Sequence, residues 1–242
     1  MTTACNLRCV YCAVSAPDWE ARHIAGHLVE RVPREVAEVA EPGATILVNG
    51  AGETTFMPGW QGACAALMEA GLPLGMTTNL ARIYSDDDIA LLARFRVLLV
   101  SIDSFDDALI RSIRRKVSVE RVRGNVARIR QAAEDAGRPS PEIRLSCGLY
   151  DRNTPELTRF AEAAVELGVT GVTFWNLDAH DALPTAGLVT PLYELAAEDL
   201  APRLREIAAA LSVLEAAGVE VEIAGDFLAP LQAGLEAAEV AA

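Results

Sequence analysis

Apolar runs rich in β-branched residues alternate with helical patterns from about residue 44 to the end of the chain. Six of these runs predict strands, at residues 45–49, 74–79, 97–103, 142–149, 169–176 and 219–223. Strands separated by helices are joined by crossover connections, which makes neighbouring strands parallel. Six βα units fall short of the eight of a closed barrel. The expected fold is therefore an α/β, partial (β/α)6-type TIM-like barrel.

Helical patterns fill the spaces between the predicted strands. They predict helices at residues 33–40, 60–70, 86–94, 106–135, 155–167 and 192–217. Pro33 suits the first turn of its helix, because its missing N–H would be unpaired there in any case. The chain shows no low-complexity linker, so residues 1–242 are expected to form one domain with a short helical tail from about residue 227.

Charge and hydropathy exclude some classes of function. The formal net charge is −13, which disfavours general binding to nucleic acids. No run of about 18 apolar residues is present, so no membrane span is expected. No leader pattern is recognised either, and the expected location is the cytoplasm.

Three of the five cysteines form a CxxxCxxC cluster at Cys5, Cys9 and Cys12. An odd count and such close spacing do not fit a disulfide framework. Thiolates are the usual ligands of iron–sulfur clusters, and three of them leave one iron of a cubane open for a substrate or cofactor. Zinc is the competing metal, but structural zinc generally takes four ligands, and the isolated Cys64 and Cys147 supply no second pair. We therefore predict a 4Fe–4S cluster held by the three clustered cysteines.

The complete motif, CxxxCxYC, resembles the defining motif of the radical S-adenosylmethionine (SAM) superfamily. The resemblance implies that the amino and carboxylate groups of SAM chelate the open iron. One electron from the cluster then cleaves a carbon–sulfur bond, which yields methionine and a 5′-deoxyadenosyl radical that abstracts hydrogen from a substrate. The resemblance also implies an electron donor such as flavodoxin or ferredoxin, and it places Tyr11 against the adenine.

A glycine-rich turn after the first predicted strand is similar to the GGE motif of the same family, in the form GxGE. The matching residues are Gly50, Gly52 and Glu53, with Thr54 where the family usually has proline. In the family, the backbone and the carboxylate meet the amino group of methionine. Glycines permit close backbone approach, and an acid binds an ammonium group, so the chemistry of the turn agrees with that role.

Two further strand ends resemble family elements that contact SAM. Asn79 ends a TN element, and Ser101 with Asp103 forms an SxD element that reaches the ribose and methionine ends of the cofactor. Strand alternation places Ser101 and Asp103 on one face. The competing interpretation is that these two residues cap the following helix.

Alternation along residues 142–149 places Arg144 and Ser146 inside the barrel, where either can meet the carboxylate of SAM. The same alternation places Cys147 against the helices. Radical epimerases use a thiol as a hydrogen donor, but we interpret Cys147 as a buried small side chain. For Trp175 two interpretations stay open, namely a core residue and a residue that lines the active site.

The chain departs from the family at two points. The first barrel strand of the family normally precedes the cysteine motif, whereas only residues 1–4 do so here, so either the start is truncated or the sheet begins one strand short. No cysteine follows Cys147, so no auxiliary cluster is expected.

We expect an enzyme that modifies a peptide, a natural product or a cofactor precursor by radical SAM chemistry. Two alternatives remain: a partial or accessory protein that holds a cluster without turnover, and a structural zinc domain.

Overall fold

A computed structural model describes residues 1–177, Leu183 and residues 187–224. The strands are β1 Arg8–Cys9, β2 Ile46–Leu47, β3 Leu74–Thr78, β4 Val97–Ser101, β5 Arg114–Arg115, β6 Glu142–Leu149, β7 Gly171–Asn176 and β8 Glu220–Ile223. The α-helices are α1 Gly26–Val39, α2 Trp60–Glu69, α3 Asp86–Leu92, α4 Asp107–Ile113, α5 Val119–Asp135, α6 Leu157–Glu166 and α7 Ala197–Ala216. The helical tail predicted from about residue 227 lies outside the described residues.

Six strands form one open parallel sheet, in the order β2-β3-β4-β6-β7-β8. This order follows the chain, and each strand overlaps one of the six predicted from the sequence. The prediction of a partial, unclosed barrel is confirmed. The two remaining strands, β1 and β5, form a separate antiparallel pair that joins the cysteine motif to the segment after α4.

The sheet has one face covered by helices and one face that stays accessible. Along β6, Ile143, Leu145 and Cys147 are buried, whereas Ser146 and Gly148 between them are only partly buried. The buried set belongs to the main hydrophobic core that the helices share with the sheet. Alternation therefore gave the correct side for Cys147, and it identifies the other side as the inner face, on which a ligand has room.

The predicted beginning of the first helix is wrong. α1 begins at Gly26, so Pro33 lies inside the helix and not in its first turn. Val29, Val32 and Val36 extend one apolar face across the proline at spacings of three and four residues, which favours continuing the helix on both sides.

The predicted helix at residues 106–135 is in fact two helices with β5 between them. Lys116 adopts a φ of 77°, which is a left-handed backbone conformation. A right-handed helix cannot continue through a residue in this conformation. The two parts have their own caps, because Asp106 accepts from the Leu109 N–H and Ser118 accepts from the Arg121 N–H. The break allows the chain to turn back towards the cysteine motif.

The remaining predicted helices are present with slightly shorter ends, and short 3-10 turns at Thr154–Glu156 and Leu192–Glu194 precede α6 and α7. Over the described ranges, no helix combines the length and the hydropathy needed to cross a bilayer.

β2 forms one edge of the described sheet. Residues 2–4 run beside the turn that follows β2. The Gly52 N–H donates to the Thr2 carbonyl at 3.0 Å and the Glu53 N–H to the Ala4 carbonyl at 2.8 Å. This short stretch leads directly into Cys5 and fixes where the cysteine loop begins.

Candidate functional site

The cysteine loop, residues 5–12, is attached to the body of the protein through β1. In the antiparallel pair, Cys9 lies opposite Arg114 and Arg8 lies opposite Arg115. The Val10 N–H extends this pairing by donating to the Ile113 carbonyl at 2.9 Å. The centre of the loop is thus tied to a segment that lies more than 100 positions later in the sequence.

All three cysteines of the loop are free thiols. Cys9 is buried, whereas Cys5 and Cys12 are partly exposed. Cys9 interacts electrostatically with both of the other thiols, and Cys5 interacts with Cys12. The Leu7 N–H donates to Cys5 Sγ at 3.4 Å, a contact that favours the thiolate. The three sulfurs therefore share one region at the edge of the sheet.

Burial shifts the pKa values of two of these thiols upward, towards the neutral form. Burial raises the pKa of Cys9 to about 12, and the neighbouring Arg114 guanidinium opposes that rise. Burial also raises the pKa of Cys5. Coordination to iron supplies the positive charge that converts such thiols to thiolates.

Among the residues that the structure describes, no three His, Cys, Asp or Glu side chains converge on a position for one metal ion. Ligands on separate irons of a cubane lie farther apart than ligands of a single ion.

Gly50 and Gly52 allow the chain before the cysteine loop to lie against the turn after β2. A Cβ atom on Gly50 would lie 2.2 Å from the Thr2 carbonyl oxygen, and one on Gly52 would lie 2.0 Å from the Ala4 carbonyl oxygen. Real Cβ atoms do not approach backbone oxygen so closely. These glycines are therefore required by the approach of residues 2–4, a role that the sequence did not reveal. Their predicted contact with SAM stays a prediction.

Glu53 is buried, and its carboxylate is satisfied by the protein itself. Oε1 accepts from the backbone N–H and hydroxyl of Thr55 and from the hydroxyl of Thr78, while Oε2 accepts from the Asn79 N–H. Three of these donors bond Oε1 and one bonds Oε2, so the neighbouring turn and strand end anchor the carboxylate mainly through Oε1. The predicted contact of this carboxylate with the SAM ammonium group stays a prediction.

Asn79 links the end of β3 to the cysteine loop. Its Nδ2 donates to Asn6 Oδ1 at 2.9 Å and lies 4.0 Å from Cys5 Sγ, while its Oδ1 accepts from the Ala81 N–H. The residue predicted to bind SAM therefore lies beside the first thiol of the loop.

The Asp103 carboxylate accepts four hydrogen bonds within the site. Its Oδ2 accepts from the Tyr11 hydroxyl at 2.6 Å and from Arg114 Nε at 2.7 Å. Its Oδ1 accepts from Arg114 Nη2 at 3.0 Å and from the Gly148 N–H at 3.3 Å. The side chain is 0% exposed. We had predicted a contact with SAM or a helix cap, but Asp103 is instead committed to Arg114, and Asp106 caps α4.

Tyr11 lies between this ion pair and the core. Its ring centroid is 5.7 Å from the Arg114 guanidinium carbon and 6.1 Å from the Tyr150 ring. The hydroxyl bond to Asp103 fixes the ring in this position, and the predicted stacking on adenine stays a prediction. The sequence did not reveal this role of Arg114, because no periodic pattern links it to Asp103 or Tyr11.

The inner face beyond Asp103 carries a row of polar side chains at matched register positions: Ser101, Ser146, Thr173 and Glu222. The Trp175 indole N–H donates to Ser146 Oγ at 2.9 Å, and the Trp175 side chain is 47% exposed. Trp175 thus lines the inner face and is not a core residue. Ser101 and Ser146, both predicted to contact SAM, lie next to each other on this face.

Arg144 lies on the inner face as predicted, but it already has a carboxylate partner. Its Nη1 donates to Glu220 Oε2 at 2.7 Å across Gly171, where a Cβ atom would collide with the guanidinium. The predicted contact of Arg144 with the SAM carboxylate is therefore not supported, because Glu220 supplies the carboxylate instead.

Comparisons with known proteins agree with this site. The sequence profile of the Radical SAM superfamily matches residues 1–135, more than half of the chain. No functionally curated protein matches.

Several solved structures share the fold at low sequence identity. SuiB from Streptococcus suis bound to S-adenosylmethionine superimposes with a TM-score of 0.69 at 15% identity, over 92% of this chain and 48% of SuiB. The protein anSMEcpe with bound AdoMet gives a TM-score of 0.65 at 15% identity, over 91% of this chain and 61% of that protein. The methyltransferase TsrM from Kitasatospora setae, with cobalamin and a [4Fe-4S] cluster bound, gives 0.55 at 13% identity, over 75% and 34%. The chain thus spans about half the length of SuiB.

Proposed function

Because the chain belongs to the radical SAM superfamily, we propose that it is an enzyme that cleaves SAM reductively at a 4Fe–4S cluster held by Cys5, Cys9 and Cys12. The cluster and SAM together would supply a 5′-deoxyadenosyl radical that removes hydrogen from a substrate. One observation carries the proposal: three free thiols share one loop at the carboxyl ends of a parallel sheet, where α/β folds place their chemistry.

The residues of this chain would divide the work in two ways. We propose that SAM contacts residues on the turn after β2 and residues near the carboxyl ends of strands on the inner face. These residues are Gly50, Gly52, Asn79, Ser101 and Ser146. Two other groups proposed from the sequence, Glu53 and Asp103, would hold the residues around the cofactor in position.

Glu53 would hold the turn after β2 through its four donors, and Asp103 would hold Tyr11 beside the cysteine loop. Each oxygen of Asp103 accepts two hydrogen bonds, whereas Glu53 Oε2 accepts one and would keep a site for the SAM ammonium group.

The substrate is proposed to be a peptide, a natural product or a cofactor precursor that binds over the inner face. Exposed Trp175 offers a large flat surface there, and Glu222 on β8 adds a carboxylate that accepts a hydrogen bond from the Thr173 hydroxyl. SuiB has been solved with its precursor peptide SuiA, and that fold matches 92% of this chain, which supports a peptide. A flavodoxin or ferredoxin would supply the electron, and one domain would cover residues 1–242.

One observation favours the second candidate, a protein that holds a cluster without turnover. An apolar cavity of about 210 Å³ lies between α1, α2 and the outer edge of β2, and it is bordered by Met1, Val36 and Leu47. No residue of α1 is buried. The edge of the sheet nearest the cysteine loop is thus incompletely covered in the described part of the chain.

SAM turnover separates these functions. The protein is reconstituted anaerobically with iron and sulfide, reduced with dithionite and incubated with SAM. We expect release of 5′-deoxyadenosine and methionine in equal amounts, and no release when Cys5, Cys9 and Cys12 are replaced by alanine. The matched control is Cys64→Ala, a buried cysteine in α2 away from the loop, which should retain activity.

A protein that binds the cluster but never cleaves SAM would support the accessory role. Stoichiometric zinc without a cluster would refute both candidates.

A further inference from the structure

A buried ion pair lies directly behind the cysteine loop. The Arg114 and Asp103 side chains are 12% and 0% exposed, and two hydrogen bonds of 2.7 and 3.0 Å join them in a bidentate arrangement. Desolvation of two charges offsets most of their mutual attraction, so an apolar pair of the same volume would stabilise the fold about equally well. Stability alone therefore does not explain why this position carries charge.

The pair contacts the loop at two points. Arg114 is the register partner of Cys9 in the β1–β5 pair, and the Tyr11 hydroxyl donates to Asp103. Of the two charges, the guanidinium belongs to the residue opposite Cys9, and the carboxylate contacts Tyr11. Burial strengthens both interactions, because the low local dielectric screens them poorly.

We propose that Arg114 and Asp103 are positioning residues that fix the cysteine loop, and that each offsets the effect of the other on the reduction potential of the cluster that the loop holds. The inference rests on the proposed function, since it requires a cluster. Reduction adds one negative charge at the loop, so a nearby cation favours the reduced cluster and a nearby carboxylate disfavours it. As a pair, the two residues contribute almost no net charge while they fix the loop rigidly.

The arginine fork suits this role better than lysine does. A guanidinium binds a carboxylate through two parallel bonds that fix direction as well as distance. Arg114 also keeps its charge, because the Asp103 carboxylate outweighs the effect of burial and raises its pKa. The loop therefore meets a constant cation with a fixed orientation.

The test is the midpoint potential of the reconstituted cluster, measured by redox titration monitored by electron paramagnetic resonance without SAM. Asp103→Asn leaves the cation uncompensated and should shift the potential upward. Arg114→Gln should shift it downward. The double variant has no charge at either position and should return towards the wild-type potential.

The matched control is Arg144→Gln, which breaks the other arginine–carboxylate pair on the sheet. Arg144 is 14% exposed and bonds Glu220 at 2.7 Å, so its burial resembles that of Arg114, but it contacts none of the three loop cysteines. We expect no shift in potential for this variant.

The inference is overturned if Asp103→Asn does not have a higher potential than both the wild type and the double variant. Should that variant fail to fold, Arg114→Lys decides the matter, because lysine keeps the charge and loses the fork. It should show a potential close to the wild type together with faster loss of iron, and a potential equal to that of Arg114→Gln contradicts the proposal. If the wild-type protein takes up no cluster at all, the proposed function fails and not this assignment.

Discussion

The cysteine loop is held on two sides, and the two sides use different chemistry. Before Cys5, residues 2–4 lie against Gly50 and Gly52, and the contact is made by backbone atoms. Behind Cys9, the loop meets the buried Arg114–Asp103 pair. On the first side, an added side-chain atom would collide with backbone atoms. On the second side, the attachment depends on two buried charges that balance each other. Each side is therefore vulnerable to a different kind of substitution.

The charged side should give the largest loss of stability. Arg114→Met keeps most of the volume but leaves the buried Asp103 carboxylate without its cation, which typically costs about 3–5 kcal/mol. Urea unfolding of the protein without iron should show this loss. If instead the loss stays below about 1 kcal/mol, Asp103 has other compensation and the ion pair is not what holds this side.

The backbone side should respond strongly to a single added methyl group. In Gly52→Ala the new Cβ would lie 2.0 Å from the Ala4 carbonyl oxygen, so residues 2–4 must move. Such overpacking costs about 3 kcal/mol, and the iron content after reconstitution should fall with it.

Gly62→Ala is the control for that variant. This glycine lies inside α2 with nothing within 4 Å of the added Cβ, and the change should stabilise the protein by about 0.5–1 kcal/mol. Equal stability for the two variants would show that the contact with residues 2–4 is not rigid.

The smallest effect should come from the link between the ion pair and the loop. Tyr11→Phe removes the hydroxyl bond of 2.6 Å to Asp103, but the same oxygen keeps its bond to Arg114. We expect a loss of about 1 kcal/mol in thermal or urea unfolding, because no buried acceptor is left without a donor. A loss as large as that of Arg114→Met would mean that Tyr11, and not the arginine, is the main partner of the carboxylate.

Local patterns in the sequence were sufficient for most of the fold. The six parallel strands, the unclosed sheet and the buried side of Cys147 all follow from strand alternation and from the helices between strands. The family match likewise supports the cofactors that the CxxxCxYC motif predicted.

Contacts between distant parts of the chain were not predictable in the same way. The motifs located Glu53, Asp103 and Arg144 at or near strand ends, but not the donors and acceptors that occupy them. The pairing of Cys9 with Arg114 joins positions more than 100 residues apart and leaves no periodic pattern. The sequence places β8, the strand that carries Glu220, two strands away from β6 in the sheet. Nothing in the sequence, however, indicates that Glu220 pairs with Arg144.

The central claim is that the loop binds one cluster with an iron left open for SAM. The most direct measurement is the electron paramagnetic resonance spectrum of the reduced, reconstituted protein before and after SAM is added. The account predicts about four irons per chain and a signal that changes shape on addition of SAM, because three thiolates leave one iron without a protein ligand. A full cluster whose signal does not respond to SAM would contradict the account.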